Sequence, residues 1–195
     1  RFVRNFHDDP VYIEALAQSV LAHWMKHGRL DSGDQLLISF HGLPRRSLDL
    51  GDPYHCECLK TGRLLAERLN LSSEQVKICF QSRFGKAEWL QPYTAPTLEA
   101  LGKSGTRRVD VICPGFVADC LETLEEIAME GKASFLASGG KEYHYIPALN
   151  EDHRWIAALS GLVERHLGGW NTTEMADISA LTATAQRARA LGAKT

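Results

Sequence analysis

A doubly wound α/β domain, with a parallel β-sheet flanked by helices, is the fold this sequence predicts. Three observations predict it. Short and almost continuous apolar runs, the mark of strands buried on both faces, alternate with longer segments of helical periodicity. Parallel strands need crossover connections of a dozen or more residues, usually helical, and the apolar runs are spaced to allow them. The chain has 195 residues, 44% hydrophobic and 24% charged, enough for one domain with a sizeable core.

Taken in order, Arg1-Phe2-Val3-Arg4-Asn5-Phe6 alternates as a strand does. From Asp9-Pro10 to His27-Gly28, Val11, Ile13, Leu16, Val20, Leu21 and Trp24 recur at helical spacing, with Pro near the start and Gly at the end. Gln35 to Phe40 is a buried strand running into the turn His41-Gly42-Leu43-Pro44. Three helix–strand units follow: Tyr54 to Leu69 before Val76 to Phe80, Thr97 to Gly102 before Val109 to Cys113, and Asp119 to Glu130 before Tyr143 to Ile146. A last helix runs from about Glu151 to His166. Residues 170 to 195, rich in Ala and Thr, form a frayed helix or a tail to which the sequence assigns no role.

Composition removes several function classes. The 22 cations are scattered against 24 acids for a net charge of −2, so the basic face that nucleic acid requires is not expected. The longest stretch free of Asp, Glu, Lys and Arg, Ala15 to Met25, has eleven residues, against the roughly 20 a membrane-spanning helix needs. Five cysteines, Cys56, Cys58, Cys79, Cys113 and Cys120, form an odd set with no signal-like segment before them, which predicts reduced thiols in a cytosol. None shows the paired spacing of a zinc site. With Arg at position 1, the chain is expected to begin inside a longer protein.

In open parallel sheets ligands bind outside the carboxyl ends of the strands, so function is sought after Phe40, Phe80, Cys113 and Ile146. After the first strand stands His41, a metal ligand or a base on the functional reading and a hydrogen-bonded core histidine on the structural one. After the third comes Cys113-Pro114-Gly115-Phe116 and then a helix on which Asp119, Glu122, Glu126 and Glu130 are spaced to share one face. These acids are either oxygen ligands guiding a divalent cation or a capping box with favourable helix-dipole charges. After the second, Arg83, Phe84, Trp89 and Tyr93 can line a flat apolar cavity with a guanidinium for an anionic group, or simply pack over the sheet edge. Gly-rich phosphate loops and a G-x-S-x-G elbow are absent, which argues against nucleotide and serine-hydrolase chemistry.

Five blocks give a more specific signal: Ser39 to Pro44 (SFHGLP), Gly51 to Tyr54 (GDPY), Phe80 to Gly85 (FQSRFG), Trp89 to Thr94 (WLQPYT) and Cys113 to Glu126 (CPGFVADCLETLEE). In order and spacing they resemble ferrochelatase, over about residues 1 to 168, and the match looks like the C-terminal half or slightly more of that enzyme. The resemblance implies two similar chelatase-like α/β domains with a porphyrin between them, and insertion of ferrous iron into protoporphyrin IX to give protohaem. It also implies the domain plan: 1–30 as the end of a preceding domain and a linking helix, 31–169 as the C-terminal domain, 170–195 as a tail, and the N-terminal domain upstream of Arg1.

Carried over by motif, the family's active-site histidine falls on His41 and its essential glutamate on Glu122, both also candidate metal ligands. Asp119 and Glu126 fall on acidic positions of a metal path. Phe116, Trp89 and Tyr93 fall in segments that approach the macrocycle, and Arg83 is a candidate for a propionate. Cys120 departs from relatives that carry a second histidine there. The substrates implied are protoporphyrin IX and ferrous iron. No permanently bound cofactor is implied, and no iron–sulfur cluster, since no cysteine follows Cys120. A cytoplasmic enzyme with peripheral membrane association fits the hydrophobic product. The alternatives are a non-catalytic porphyrin- or haem-binding fragment and a cobalt or nickel chelatase acting on a sirohydrochlorin-type ring. The sequence fixes no oligomeric state.

Overall fold

The turn signals around the first helix act as the sequence predicts. In the computed structural model, which describes residues 2–170 and 177–194, helix α1 spans Pro10–His27. Asp9 accepts from Val11 N, Pro10 takes the first turn where no N–H is needed, and Gly28 ends the helix at φ 81°. Strand β1 (Gln35–His41) follows, then the short α2 (Arg45–Asp49), α3 (Tyr54–Leu69), β2 (Val76–Gln81), α4 (Thr94–Lys103) and β3 (Arg108–Ile112). After β4 (Glu142–Tyr145) comes α7 (His153–His166); α5 and α6 lie in the helical run before β4.

All strands are parallel in the order β2-β1-β3-β4. In register, Leu36 pairs with Val76 and His41 with Gln81 on one side of β1, while Gln35 pairs with Val109 and Ile38 with Ile112 on the other. The chain leaves β1 towards β2 and then returns past β1 to β3. The two connections run in opposite directions, which puts their helices on opposite faces. Leu36, Ile38 and Phe40 of β1 accordingly pack with α1 and α3 through Leu16, Val20, Trp24, Cys58 and Leu65. Leu37 packs the other way with Leu98, Val109, Val111, Ile127 and Phe135. Each such large side chain stabilises by about 1.5–3 kcal/mol on burial.

The fourth helical segment differs from the one expected over Asp119 to Glu130. It starts later, with Cys120 as its N-cap, and runs as α5 (Leu121–Thr123), a π-helical stretch (Leu124–Gly131) and α6 (Lys132–Ala137). Thr123, not Glu122, completes the cap, its Oγ1 accepting from Cys120 N at 3.0 Å. The π turns lie where Tyr143 Oη donates to Ile127 O at 2.6 Å, a side chain occupying a carbonyl of the helical ladder.

The alternation at the start of the chain does not produce a strand. Phe2 is fully exposed, and Phe6 turns inward against the rings of Tyr12 (5.3 Å, edge-on) and Trp155 (5.9 Å), which outweighs a pairing at a sheet edge. The chain divides into two units, Arg1–Ser160 and Gly161–Thr195. In the second, α8 (Ile178–Ala190) is N-capped by Asp177 and has no buried residue.

Candidate active site at the carboxyl ends of β1 and β3

The reversal of strand order falls between β1 and β3, so the crevice of an open parallel sheet lies outside His41 and the turn after Ile112. The β1 exit is built closely. Gly42 donates to Gln81 O at 2.8 Å, Leu90 N donates to Leu43 O at 2.8 Å, and Pro44 bridges Trp89. A Cβ on Gly42 would meet Gln81 O at 2.9 Å and Trp89 Cε3 at 3.0 Å, so the loop carrying Trp89 can lie against the β1 exit only over glycine.

His41 is half-buried, with its ring 6.2 Å from Trp89 and 6.1 Å from Phe116. Its Nδ1 lies 2.6 Å from Gly42 O. A carbonyl only accepts, so this contact requires Nδ1–H and leaves the lone pair on Nε2, the nitrogen able to take a proton or a cation. Tyr54 Oη donates to His41 O at 2.8 Å and fixes the backbone beneath the ring. Across the crevice Tyr12 Oη donates to Pro114 O and secures the turn that carries Phe116.

Glu122 is tied through its backbone to the same strand ends by a buried amide. Gln81, at the end of β2, donates from Nε2 to Glu122 O at 2.6 Å, while its Oε1 accepts from Ser39 Oγ at 2.8 Å and from Cys113 Sγ at 3.4 Å. One side chain thereby ties the ends of β1, β2 and β3 to the helix that bears Glu122. Its carboxyl is held below the usual carboxylate range, first by the Cys120 thiol, then by its own backbone N–H and by the charge of nearby His41. Each strand end thus contributes a different group, a carboxylate favoured in its ionised form and an imidazole whose Nε2 can gain or lose a proton.

The remaining candidates fall into separate groups. Glu126 accepts from Ser82 N (2.7 Å) and Ser82 Oγ (2.8 Å), holding Ser82 at φ 62°. It lines a 260 Å³ depression with Arg83 and Tyr93, where the Arg83 guanidinium lies 5.2 Å above the Tyr93 ring. Asp119 precedes the helix and does not join a stripe of acids. Tyr145 Oη (2.6 Å), Asn150 Nδ2 (2.8 Å), Thr123 Oγ1 (3.1 Å) and Ala148 N (3.3 Å) all donate to it. Burial pushes its carboxyl up, but those donors more than offset it and the net direction is down. Among the described residues, no three of His41, Asp119, Glu122 and Glu126 bring ligand atoms within 4.8 Å of one another.

Sequence reasoning missed Gln81, Ser39 and Tyr54 as parts of this site. Gln81 carried a signal, a polar side chain closing an apolar strand, but only the register of β1 on β2 gives it partners. The crevice is open and apolar at its rim, with Leu50, Phe84, Leu121 and Leu124 exposed on the loops and helix that follow the three strand ends.

A model of the ferrochelatase family matches residues 1–167. The ferrochelatase of Dechloromonas aromatica is 69% identical over 194 residues, which is 100% of this chain and 53% of that protein. Those of Aromatoleum aromaticum and Nitrosomonas europaea are 63% and 59% identical over 194 residues, in each case 100% of this chain and 52% of the relative. The chain spans about half the length of the curated relatives it matches.

Proposed function

The chain belongs to the ferrochelatase family, and we propose from that premise that it supplies the proton- and metal-handling residues for inserting ferrous iron into protoporphyrin IX, giving protohaem. What supports the reading is that His41 ends β1 and Glu122 starts the helix after β3, on the two sides of the switch point, with the His41 Nδ1 contact to Gly42 O leaving Nε2 as the basic nitrogen and the Glu122 carboxyl held below its usual range. Free-base porphyrin holds two pyrrole N–H protons, and both must leave as one Fe²⁺ enters. His41 Nε2 accepts pyrrole protons and releases them to solvent, the role of an imidazole acting as general base. Glu122 balances the cation's charge while its water is stripped. Glu126 and Asp119 stand behind on the cation's route, and Gln81 is a positioning residue for Glu122.

Trp89, Phe116 and the apolar rim supply a surface for a flat hydrophobic ring, with Tyr93 beside it and Arg83 available to a propionate. The substrates are thus the porphyrin and ferrous iron, with no resident cofactor. The five cysteines are all free, the pattern of a reducing compartment, which supports a cytoplasmic enzyme. No described helix is long and apolar enough to cross a membrane, and the hydrophobic product supports a peripheral association with one.

The test is anaerobic insertion of ferrous iron, followed as loss of porphyrin fluorescence. It uses the chain alone and the chain completed to its relatives' length with the remainder of the Dechloromonas aromatica protein. Turnover by the completed protein that is lost in His41→Ala supports the assignment. Porphyrin binding without turnover in either form replaces the enzyme with a porphyrin-binding module.

A further inference from the structure

At the opposite end of the sheet, three imidazoles converge that the reaction above does not use. His23 and His27 stand one turn apart on α1 and so share a face, and His144 lies on β4. One ring nitrogen from each lies within 4.8 Å of those of the other two. The ring centroids are 4.4 Å (His23–His27), 4.6 Å (His27–His144) and 5.0 Å (His23–His144) apart. The carbonyl of His27 accepts from Arg108, the first residue of β3, at 2.9 Å. This marks the amino end of the sheet, whereas His41 and Glu122 lie at the carboxyl end.

Aromatic packing explains why the rings touch but leaves one nitrogen unaccounted for. His23 Nε2 is buried without a hydrogen-bond partner, and the side chain is only 11% exposed. Asp110 Oδ2 is 3.9 Å away and already receives Trp24 Nε1 and Arg108 Nη2. A buried polar atom left in this way costs about 1–3 kcal/mol and calls for a physical reason.

The surroundings fit a cation. His144 Nε2 lies 2.8 Å from Glu142 Oε1, the carboxylate–histidine pairing that fixes a tautomer and raises the basicity of the other ring nitrogen. A cleft of about 530 Å³, lined by all three histidines with Lys26, Tyr145 and Asp152, gives an entry path from solvent.

We propose that His23, His27 and His144 form a binding site for a divalent first-row transition ion of the Zn²⁺, Co²⁺ and Ni²⁺ class. Three imidazoles select borderline metals over Mg²⁺ and Ca²⁺, which prefer oxygen donors. With metal–nitrogen bonds of about 2.0–2.1 Å, tetrahedral ligands sit about 3.4 Å apart, so modest ring rotations close the trio on an ion. The fourth position faces the cleft and takes water or an external ligand. The inference is independent of the chemistry proposed at the carboxyl end.

The test is titration of tag-free, chelator-stripped chain with Co²⁺, read by its visible ligand-field spectrum, with Zn²⁺ as competitor. The expected result is one equivalent of bound Co²⁺ displaced by Zn²⁺. Affinity should fall in His27→Ala and His144→Ala by at least the roughly 100-fold that losses outside the ligand shell already reach. His41→Ala should change it by no more than about twofold, as for a distant independent site. His27 is exposed, so its variant keeps the fold and decides the matter if the other does not. Absence of stoichiometric binding, binding unchanged in His27→Ala, or binding lost in His41→Ala would each overturn the site.

Discussion

At the amino end of β3, Arg108 holds Asp110 through two hydrogen bonds of 2.8 Å, Trp24 Nε1 donates to the same carboxylate at 2.7 Å, and both charged residues are buried. Arg108 Nη1 closes the last carbonyl of α1, His27 O, at 2.9 Å, and Nη2 also donates to Gly28 O just beyond the helix at 3.2 Å. At the carboxyl end, His41 and Glu122 are only partly buried, Glu122 is steered through its backbone, and apolar side chains stand in solvent. One sheet therefore carries around Arg108 and Asp110 a buried charge pair that is closed off and fully satisfied, and at its other end groups that are open to solvent. The difference shows where stability and reactivity separate in this fold. Removing a group at the closed end leaves a buried charge behind, and removing one at the open end leaves mainly a missing function.

The largest effect expected is on turnover. In the protein completed to its relatives' length, His41→Ala and Glu122→Gln should each lower the insertion rate by about 10²–10⁴-fold. Their urea midpoints should correspond to losses below about 1 kcal/mol, the scale of a helix-dipole charge. A large stability loss in either would break the contrast between the two ends. Next in size, Asp110→Ala strands Arg108 and should cost about 3–5 kcal/mol in urea unfolding; a cost under 1 kcal/mol would show that the latch is not what holds α1.

Gln81→Leu tests the one element that belongs to both categories. It leaves Glu122 O without this donor and Ser39 Oγ with Thr94 Oγ1 alone, and should cost about 1–3 kcal/mol while also slowing insertion, because the helix that bears the carboxylate loses its anchor. A variant with stability lost and rate intact would remove Gln81 from the positioning role. The smallest effect is expected for Tyr145→Phe, which deletes one donor to Asp119 for about 0.5–1.5 kcal/mol. The sign of its pH dependence follows from the lowered Asp119 carboxyl. Stability from that site is complete above the unfolded value of 3.8 and is lost as pH falls through the lower folded value. Urea midpoints of parent and variant should therefore differ near neutrality and draw together in acid.

Much of the fold was legible in the residues because burial on both faces leaves strands with no polar alternation. Leu36 to Phe40 and Val109 to Cys113 could be read as parallel strands for that reason, and Asp9-Pro10 and Gly28 marked α1 through their own backbone chemistry. The readings that failed depended on distant partners. Phe2 to Phe6 has the period of a strand, yet Tyr12 and Trp155 draw Phe6 inward. The acids from Asp119 onward have the spacing of one helix face, but Tyr145, Asn150 and Ala148 claim Asp119 before the helix begins.

The candidate site divides in the same way. His41 and Glu122 stood out as candidates because the blocks that resemble the family surround them and both lie at strand ends. Gln81, Ser39 and Tyr54 stand in the same blocks but were given no role, since the hydrogen bonds that define their roles join residues 13 to 42 positions apart. The three histidines at the amino end lie 4 and 117 residues apart along the chain, with no local pattern to unite them.

By itself, then, the sequence determined the elements whose cause is local: periodicity, turn residues, caps, and the motifs that mark His41 and Glu122. Tertiary structure alone decided which polar groups meet, from the Gln81 bridge to Glu122 to the latch of Arg108 on Asp110 and the convergence of His23, His27 and His144. Hydrogen bonds and metal ligation act over a few ångströms between atoms, while periodicity acts along the chain. Only the packing of α1 against a sheet that includes β4 brings the two scales together.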